Sequence, residues 1–200
     1  MYSFCMPRLT RETAQSRRDA IVAAALRMMA TQGVAHTSIA DISAESGLST
    51  GSIYSHFSGK AEIFAEGAAA VIGRRAQALL EEGFDAREPR SPREIVGRLL
   101  GALDEDEVPH RLVLQMWAEA TVDEEISEVV DRAVGRIRTA YRAAIGPWVA
   151  AQKGSIDIDA VVRGMVALSQ GYIVHRALFG PLALGEYLGG VGVALDDREE

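Results

Sequence analysis

With 200 residues, 48% of them apolar and 24% charged, the chain can bury a real core as one domain or two small ones. Its formal net charge of −7 excludes a protein that coats nucleic acid over its whole surface. The single cysteine, Cys5, excludes an intrachain disulfide and fits a reducing compartment.

The charge is uneven. Residues 1–60 hold six Arg/Lys against four Asp/Glu, a net of +2, which leaves −9 on the other 140 residues. A mildly basic head therefore precedes an acidic body. The opening "MYSFCMPRLTRE" lacks a long apolar core and a cleavage pattern, so it does not read as a secretion signal. The uncharged run "GMVALSQGYIV" is 11 residues long, against about 20 needed to span a bilayer. These features predict a cytoplasmic protein with no membrane partner.

Residues 1–15 read as a loose arm carrying Arg8 and Arg11. From Arg17 the spacing turns helical: Ile21, Ala25 and Met28 form one stripe, and Val22, Leu26 and Met29 its neighbour. Gly33 stops that helix. A second helix begins near Thr37 or Ser38, residues suited to an N-cap, and Asp41 completes a Ser-x-x-Asp pattern if Ser38 is the cap. Ile39, Ala40 and Ser43 or Ala44 are expected to face inward. Gly47 ends this helix, and Ser49 is placed to cap a very short third one over about 50–56.

Ile53 and Phe57 lie four apart, share a face and can anchor that third helix to a core. Gly59 can cap a fourth helix running to about Glu82, with Glu62 at its third position. The segment 83–94, with two prolines and clustered charge, reads as a linker. Beyond it the pattern is helical over about 92–103, 108–121, 123–149, 157–178 and 181–195. "LDEDEV", 103–108, reads as a solvated acidic run, and the final "DDREE" as frayed. No strand alternation and no repeat is found.

Helices over 38–46 and 50–56, joined by "ESGLS", form a helix-turn-helix candidate. Such a pair can lay its second helix in the major groove of DNA. Hydroxyl, phenol, imidazole and ammonium groups donate to phosphate oxygens, while short side chains let a helix approach base edges. The starts of three helices, near Thr37, Thr50 and Lys60, can each turn amides toward the phosphate backbone.

The run "SIADISAESGLSTGSIYSHFSGKAEIF", preceded by "RRDAIVAAALRMMATQGVAHTS", resembles the signature of the tetracycline-repressor (TetR) family of bacterial transcription regulators over about 17–64. The resemblance implies that Thr37 and Lys60 touch phosphates, that Thr50, Gly51 and Ser52 lie at the groove floor, and that Tyr54 and His56 bind flanking phosphates, with Phe57 in the core. Ser38 and Ser49, at the helix starts, complete the candidate DNA-contacting set. The chain departs from the pattern at Ala61, where an acid is frequent, and at Leu48, where Val is common. No Arg or Lys lies between Arg27 and Lys60, so base reading would rest on small side chains and shape. Arg8 and Arg11 could add contacts from the arm.

The body resembles the family's regulatory domain much less specifically, in "RLVLQMWAEATVDEEISEVV" and "MVALSQGYIVHRALFGP". That likeness implies a small-molecule effector and a homodimer through the C-terminal helices. Independently, the helix from Gly164 to Val174 is uncharged all round, so little of it is expected to face water, and Gly164 and Gly171 sit on one side. Leu99, Leu103, Met116, Trp117, Ala120, Tyr141, Met165 and Gln170 are candidate effector contacts, with Trp148 beside them and His110 and His175 as polar anchors. No His, Cys or Asp grouping has metal-ligand spacing, and no cofactor is implied.

The expected architecture is all-α, with about nine helices. A three-helix helix-turn-helix DNA-binding domain over 1–62 precedes a helical ligand-binding and dimerisation domain over 63–200. The expected function is a repressor released from a palindromic operator by a small, largely apolar effector, with the fourth helix as the lever. Nucleophile elbow, phosphate loop and metal set are all missing, which argues against an enzyme. The remaining alternatives are a ligand-independent DNA-binding protein and a helical protein-interaction adaptor.

Overall fold

The computed structural model describes residues 11–81, 87–105, 110–152 and 154–195. The expectations for Cys5 and Arg8, for 106–108 of the acidic run, for 83–86 of the linker and for the frayed end lie outside the described residues. The described residues form nine α-helices, and the chain divides into two compact units, Met1–Gly67 and Ala68–Glu200. The division falls after Gly67, beyond the boundary expected at 62, because Ile63, Phe64 and Gly67 of the fourth helix are themselves buried.

The first unit contains α1 (Arg11–Gln32), α2 (Ile39–Ser46), α3 (Thr50–Tyr54) and the start of α4 (Lys60–Glu81). Its core is Ile21, Val22, Ala25, Met29, Ile42, Ile53, Phe57, Ile63 and Phe64. α1 starts at Arg11, earlier than the expected Arg17. Arg11–Ser16 contains no glycine or proline and is rich in helix formers, so propensity extends the helix past the apolar stripe. In α2 the buried residue is Ile42; Ile39 is half-buried, and Ala40 and Ala44 are exposed. Of the expected inward set, Ile39 and Ser43 are thus half-buried and Ala40 and Ala44 are not inward, while the fully buried Ile42 lies outside it.

The second unit contains the rest of α4, then α5 (Pro92–Glu105), α6 (His110–Glu119), α7 (Glu124–Ala151), α8 (Ile158–Phe179) and α9 (Leu184–Leu195). The last helix starts later than the expected 181, after Pro181 and a glycine at φ 94°, Gly180. One apolar core runs through α5, α7, α8 and α9 and includes Ile95, Leu100, Tyr141, Ile145, Met165 and Tyr172. Tyr141 is fully buried, and its hydroxyl lies 2.7 Å from Ser169 Oγ, which in turn donates to the Met165 carbonyl. Burial holds the Tyr141 phenol far above its ordinary pKa.

Asp104 corrects the reading of 103–108 as a solvated run. It lies in the last turn of α5, accepting from Tyr172 Oη at 2.7 Å, with His110 Nε2 at 3.2 Å and Arg176 at 3.6 Å. Burial first, then Asp104, pushes the Tyr172 phenol up to about 12. The long α5-to-α8 contact replaces the water that a local charge run would otherwise seek. No helix among the described residues is long and apolar enough to cross a membrane.

Candidate nucleic-acid interface

Local chemistry shapes the helix pair. Ser38 caps α2 in a full capping box: its hydroxyl accepts from the Asp41 amide at 3.2 Å, and Asp41 accepts from the Ser38 amide at 2.8 Å. The Ser38 hydroxyl, which also donates to Asp41 Oδ2 at 2.6 Å, and then the Ser38 amide hold the Asp41 carboxyl below its ordinary pKa. Gly47 ends α2 at φ 70°, a left-handed conformation that glycine adopts without a Cβ penalty. Ser43 Oγ ties the turn by donating to the Leu48 carbonyl at 2.6 Å. Ser49 then caps α3 by accepting from the Ser52 amide at 3.2 Å.

α3 is a helix of only five residues, and isolated helices that short are not stable in water. Two buried side chains hold it: Ile53 is 0% exposed and Phe57 1%. With that face pinned, the opposite face points outward. Tyr54 is 59% exposed, Thr50 and Gly51 are exposed, and Ser52 and His56 are half-buried. The regular helix stops at Tyr54, short of the expected 56. The amides of His56 and Phe57 both turn back to the Ile53 carbonyl and close the end.

Gly51 has no neighbouring atom within 4 Å of where a Cβ would stand, and its φ is not left-handed. Nothing among the described residues therefore requires glycine there.

Two candidates serve the fold as well as any partner. Thr37 is buried, 2% exposed, and its hydroxyl donates to the Gly33 carbonyl at 2.8 Å. The resemblance implies a phosphate contact at this position; in the free chain the hydroxyl instead closes the α1–α2 turn. Lys60 is half-buried, and its Nζ donates to the Val34 carbonyl at 2.9 Å. An ammonium has three donors, so two remain beyond that bond. Thus Ser49, Thr50, Gly51, Ser52 and Tyr54 come together on one exposed element, while Thr37 and Lys60 meet at the α1–α2 turn.

Arg18 is the residue that sequence reasoning missed. It lies on α1, and its guanidinium donates to the His56 carbonyl and to both oxygens of Glu66, with Glu62 3.8 Å away. It also stands 4.2 Å from the centroid of the Phe57 ring. Glu66 foremost raises the already high Arg18 pKa. Glu62 also accepts from the Ser58 amide at 2.7 Å and its hydroxyl at 2.8 Å, and these bonds hold the Glu62 carboxyl low. An arginine beside the apolar stripe gives no sequence signal of such partners.

The candidate effector residues divide differently. Leu99, Tyr141 and Met165 are core, with Leu103, Trp117 and Trp148 packed against it. Met116 is buried and Ala120 half-buried, but Gln170 is exposed, so it does not line the interior as expected. On α8 it occupies the outward face. His175 lies against Phe179, with ring centroids 5.3 Å apart and planes tilted by 55°.

A capped helix, a left-handed glycine turn and a short pinned second helix define a helix-turn-helix head, carried on an all-α chain. Residues 21–66 match the family described as "Bacterial regulatory proteins, tetR family", and this segment belongs to that family. Over 61 residues the chain is 41% identical to the HTH-type transcriptional regulator AcrR of Shigella flexneri, which is 30% of this chain and 28% of that protein. Over 58 residues it is 47% identical to the HTH-type transcriptional regulator TtgR of Pseudomonas putida, 29% of this chain and 28% of that protein. The match thus spans less than a third of the length of these curated relatives, which are transcriptional regulators.

The whole fold has wider likenesses. A TetR transcription regulator from Haloarcula marismortui superposes with a TM-score of 0.70 at 18% identity, covering 90% of this chain and 95% of that one. Salmonella enterica GusR gives 0.68 at 20% identity, covering 94% and 98%. At such identities the likeness is one of fold.

Proposed function

We propose that the chain is a transcriptional regulator that binds a palindromic DNA operator as a homodimer and is released by a small, largely apolar effector held in the body. The observation that carries the DNA part is the exposed face of α3, set outward by buried Ile53 and Phe57 in a head that belongs to the tetR family. A hydroxyl-rich, nearly uncharged helix face with a glycine at its centre suits close approach to base edges, and Tyr54 suits a flanking phosphate.

The dimer part is supported by α8. In the single chain Gly164, Ala167, Gln170 and Gly171 are exposed, and Leu178 and Phe179 are exposed at 59% and 73%. An uncharged helix face of this kind calls for a partner surface, and a second copy supplies one by two-fold symmetry. Two heads roughly 34 Å apart would then meet successive major grooves. The effector part rests on the buried thioether of Met116 and the aromatic ring of Trp117 packed against the core, side chains suited to an apolar ligand. An effector acts only through its differential affinity for the bound and released states.

The test is fluorescence anisotropy on the DNA upstream of the chain's own coding region, against a scrambled duplex. Wild type should prefer the native sequence, and Tyr54→Ala should weaken it at least tenfold with unchanged helicity. Equal binding to both duplexes would favour a nonspecific architectural role. Absence of any DNA binding would favour an adaptor and end the proposal.

A further inference from the structure

We propose that Arg18 is the positioning residue that sets the pose of α3 on DNA, acting through the end of that helix rather than by touching the duplex. The proposal rests on the DNA-binding reading above. One planar group reaches three elements: it leaves α1, donates to the His56 carbonyl where α3 ends, stacks against Phe57, and pairs with Glu66 and Glu62 on α4. Its side chain is only 27% exposed.

The other end of α3 has a different hold, the Ser49 cap and the Ser43 bond to Leu48. Ile53 and Phe57 fix which face points inward, but two adjacent apolar contacts leave a helix of one turn free to rock about them. Rocking moves Tyr54 and Gly51 against a groove whose hydrogen-bond geometry tolerates little displacement. A rigid fork that bonds a carbonyl and a carboxylate at once, while stacking on a ring, removes that freedom. Lysine cannot replace it, because a point charge on a flexible stem has neither the fork nor the plane. The Glu62 bonds to Ser58 extend the same lock into the α3–α4 turn.

The experiment compares wild type, Arg18→Lys and the double variant Arg18→Glu/Glu66→Arg in the full chain. Specific and nonspecific DNA affinity are measured as a function of salt, with melting temperature and amide exchange of residues 53–58. Arg18→Lys should weaken specific binding at least tenfold, leave nonspecific binding and the salt slope unchanged, and speed exchange at His56 and Phe57. The reversed pair should recover the melting temperature without recovering specific affinity, since an arginine at 66 restores the ion pair but not the fork from α1.

In the reversed pair, where position 18 no longer carries a cation, a salt slope lowered by about one charge would make Arg18 a phosphate contact and overturn the proposal. Recovery of affinity together with stability in the reversed pair would reduce it to a structural ion pair and also overturn it. If wild type binds no DNA, the functional reading fails, and amide exchange alone decides whether Arg18 holds α3: unchanged exchange in Arg18→Lys refutes that hold.

Discussion

Gly51→Ala should move stability and DNA affinity in opposite directions. Gly51 is the second residue of α3, it is exposed, and a Cβ there meets nothing within 4 Å. Its backbone is not left-handed, so alanine adopts it without strain. Alanine then removes unfolded-state entropy and gains helix propensity, worth about 0.4–1 kcal/mol. For a unit the size of the head, about 1 kcal/mol corresponds to a rise of roughly 4–8 °C in melting temperature, so about 2–8 °C is expected. On DNA the same methyl stands where α3 would approach base edges most closely. A misplacement that breaks one bidentate base contact costs about 1–3 kcal/mol, or roughly fivefold to 150-fold in affinity. Differential scanning calorimetry and fluorescence anisotropy on one preparation measure both. A variant that is more stable and binds as wild type would refute the assignment of Gly51 to the groove floor. One that melts lower would refute the claim that the fold leaves the site free.

Ile53→Ala should cost the head about 2–5 kcal/mol, because a fully buried aliphatic side chain is truncated, and Ile53→Val about 0.5–1.5. Amide exchange across 50–57 should rise accordingly, and a wild-type exchange pattern would show that α3 does not depend on this peg. In the body, His110 has its pKa lowered by burial foremost and by Arg176, against the opposing pull of Asp104. The fold therefore favours the neutral imidazole. Its stabilising share is complete above the unfolded-state value of about 6.5 and is lost as pH falls from there through the folded value. Melting of the wild-type body should drop as pH falls below about 6.5, and His110→Gln should flatten that part of the profile; an identical profile in the variant would remove His110 from the account. Gly171→Ala should destabilise the α8–α9 contact, since its Cβ would stand 2.7 Å from Tyr187 Oη. Adding Tyr187→Phe should recover most of the loss, because the next ring atom is 3.8 Å away; additive losses would refute the clash.

The features legible in the sequence are those whose partners lie three or four residues apart. Ser38 and Asp41 announce a capping box, Ser49 a cap, and Ile53 with Phe57 a common face, and each forms as its spacing requires. The bonds that were not legible join distant positions. Arg18 finds Glu66 across 48 residues, and Asp104 finds Tyr172 across 68. A charged side chain reads as solvated when only its neighbours in the chain are considered, because the cost of burying it is met by groups that the fold alone brings near. Phase within a helix is lost for a similar reason. Ile39 and Ile42 are equally apolar, and only the packing of α1 on α2 decides that Ile42 is fully buried and Ile39 only half-buried.

Thr37 and Lys60 show where a motif carries more than one constraint. Thr37 closes the turn after α1 through Gly33, and Lys60 reaches the same turn through Val34. A substitution at either position therefore changes the frame that holds the helix pair, whatever it does to a phosphate. Loss of DNA binding on Lys60→Ala cannot by itself identify a contact, whereas loss on Tyr54→Ala can, because Tyr54 is exposed and contributes nothing to the core. The residues that best report the DNA interface are thus those the fold uses least, Tyr54 and Gly51, and two cations of the head, Arg18 and Lys60, report first on how α3 and its neighbouring turns are held.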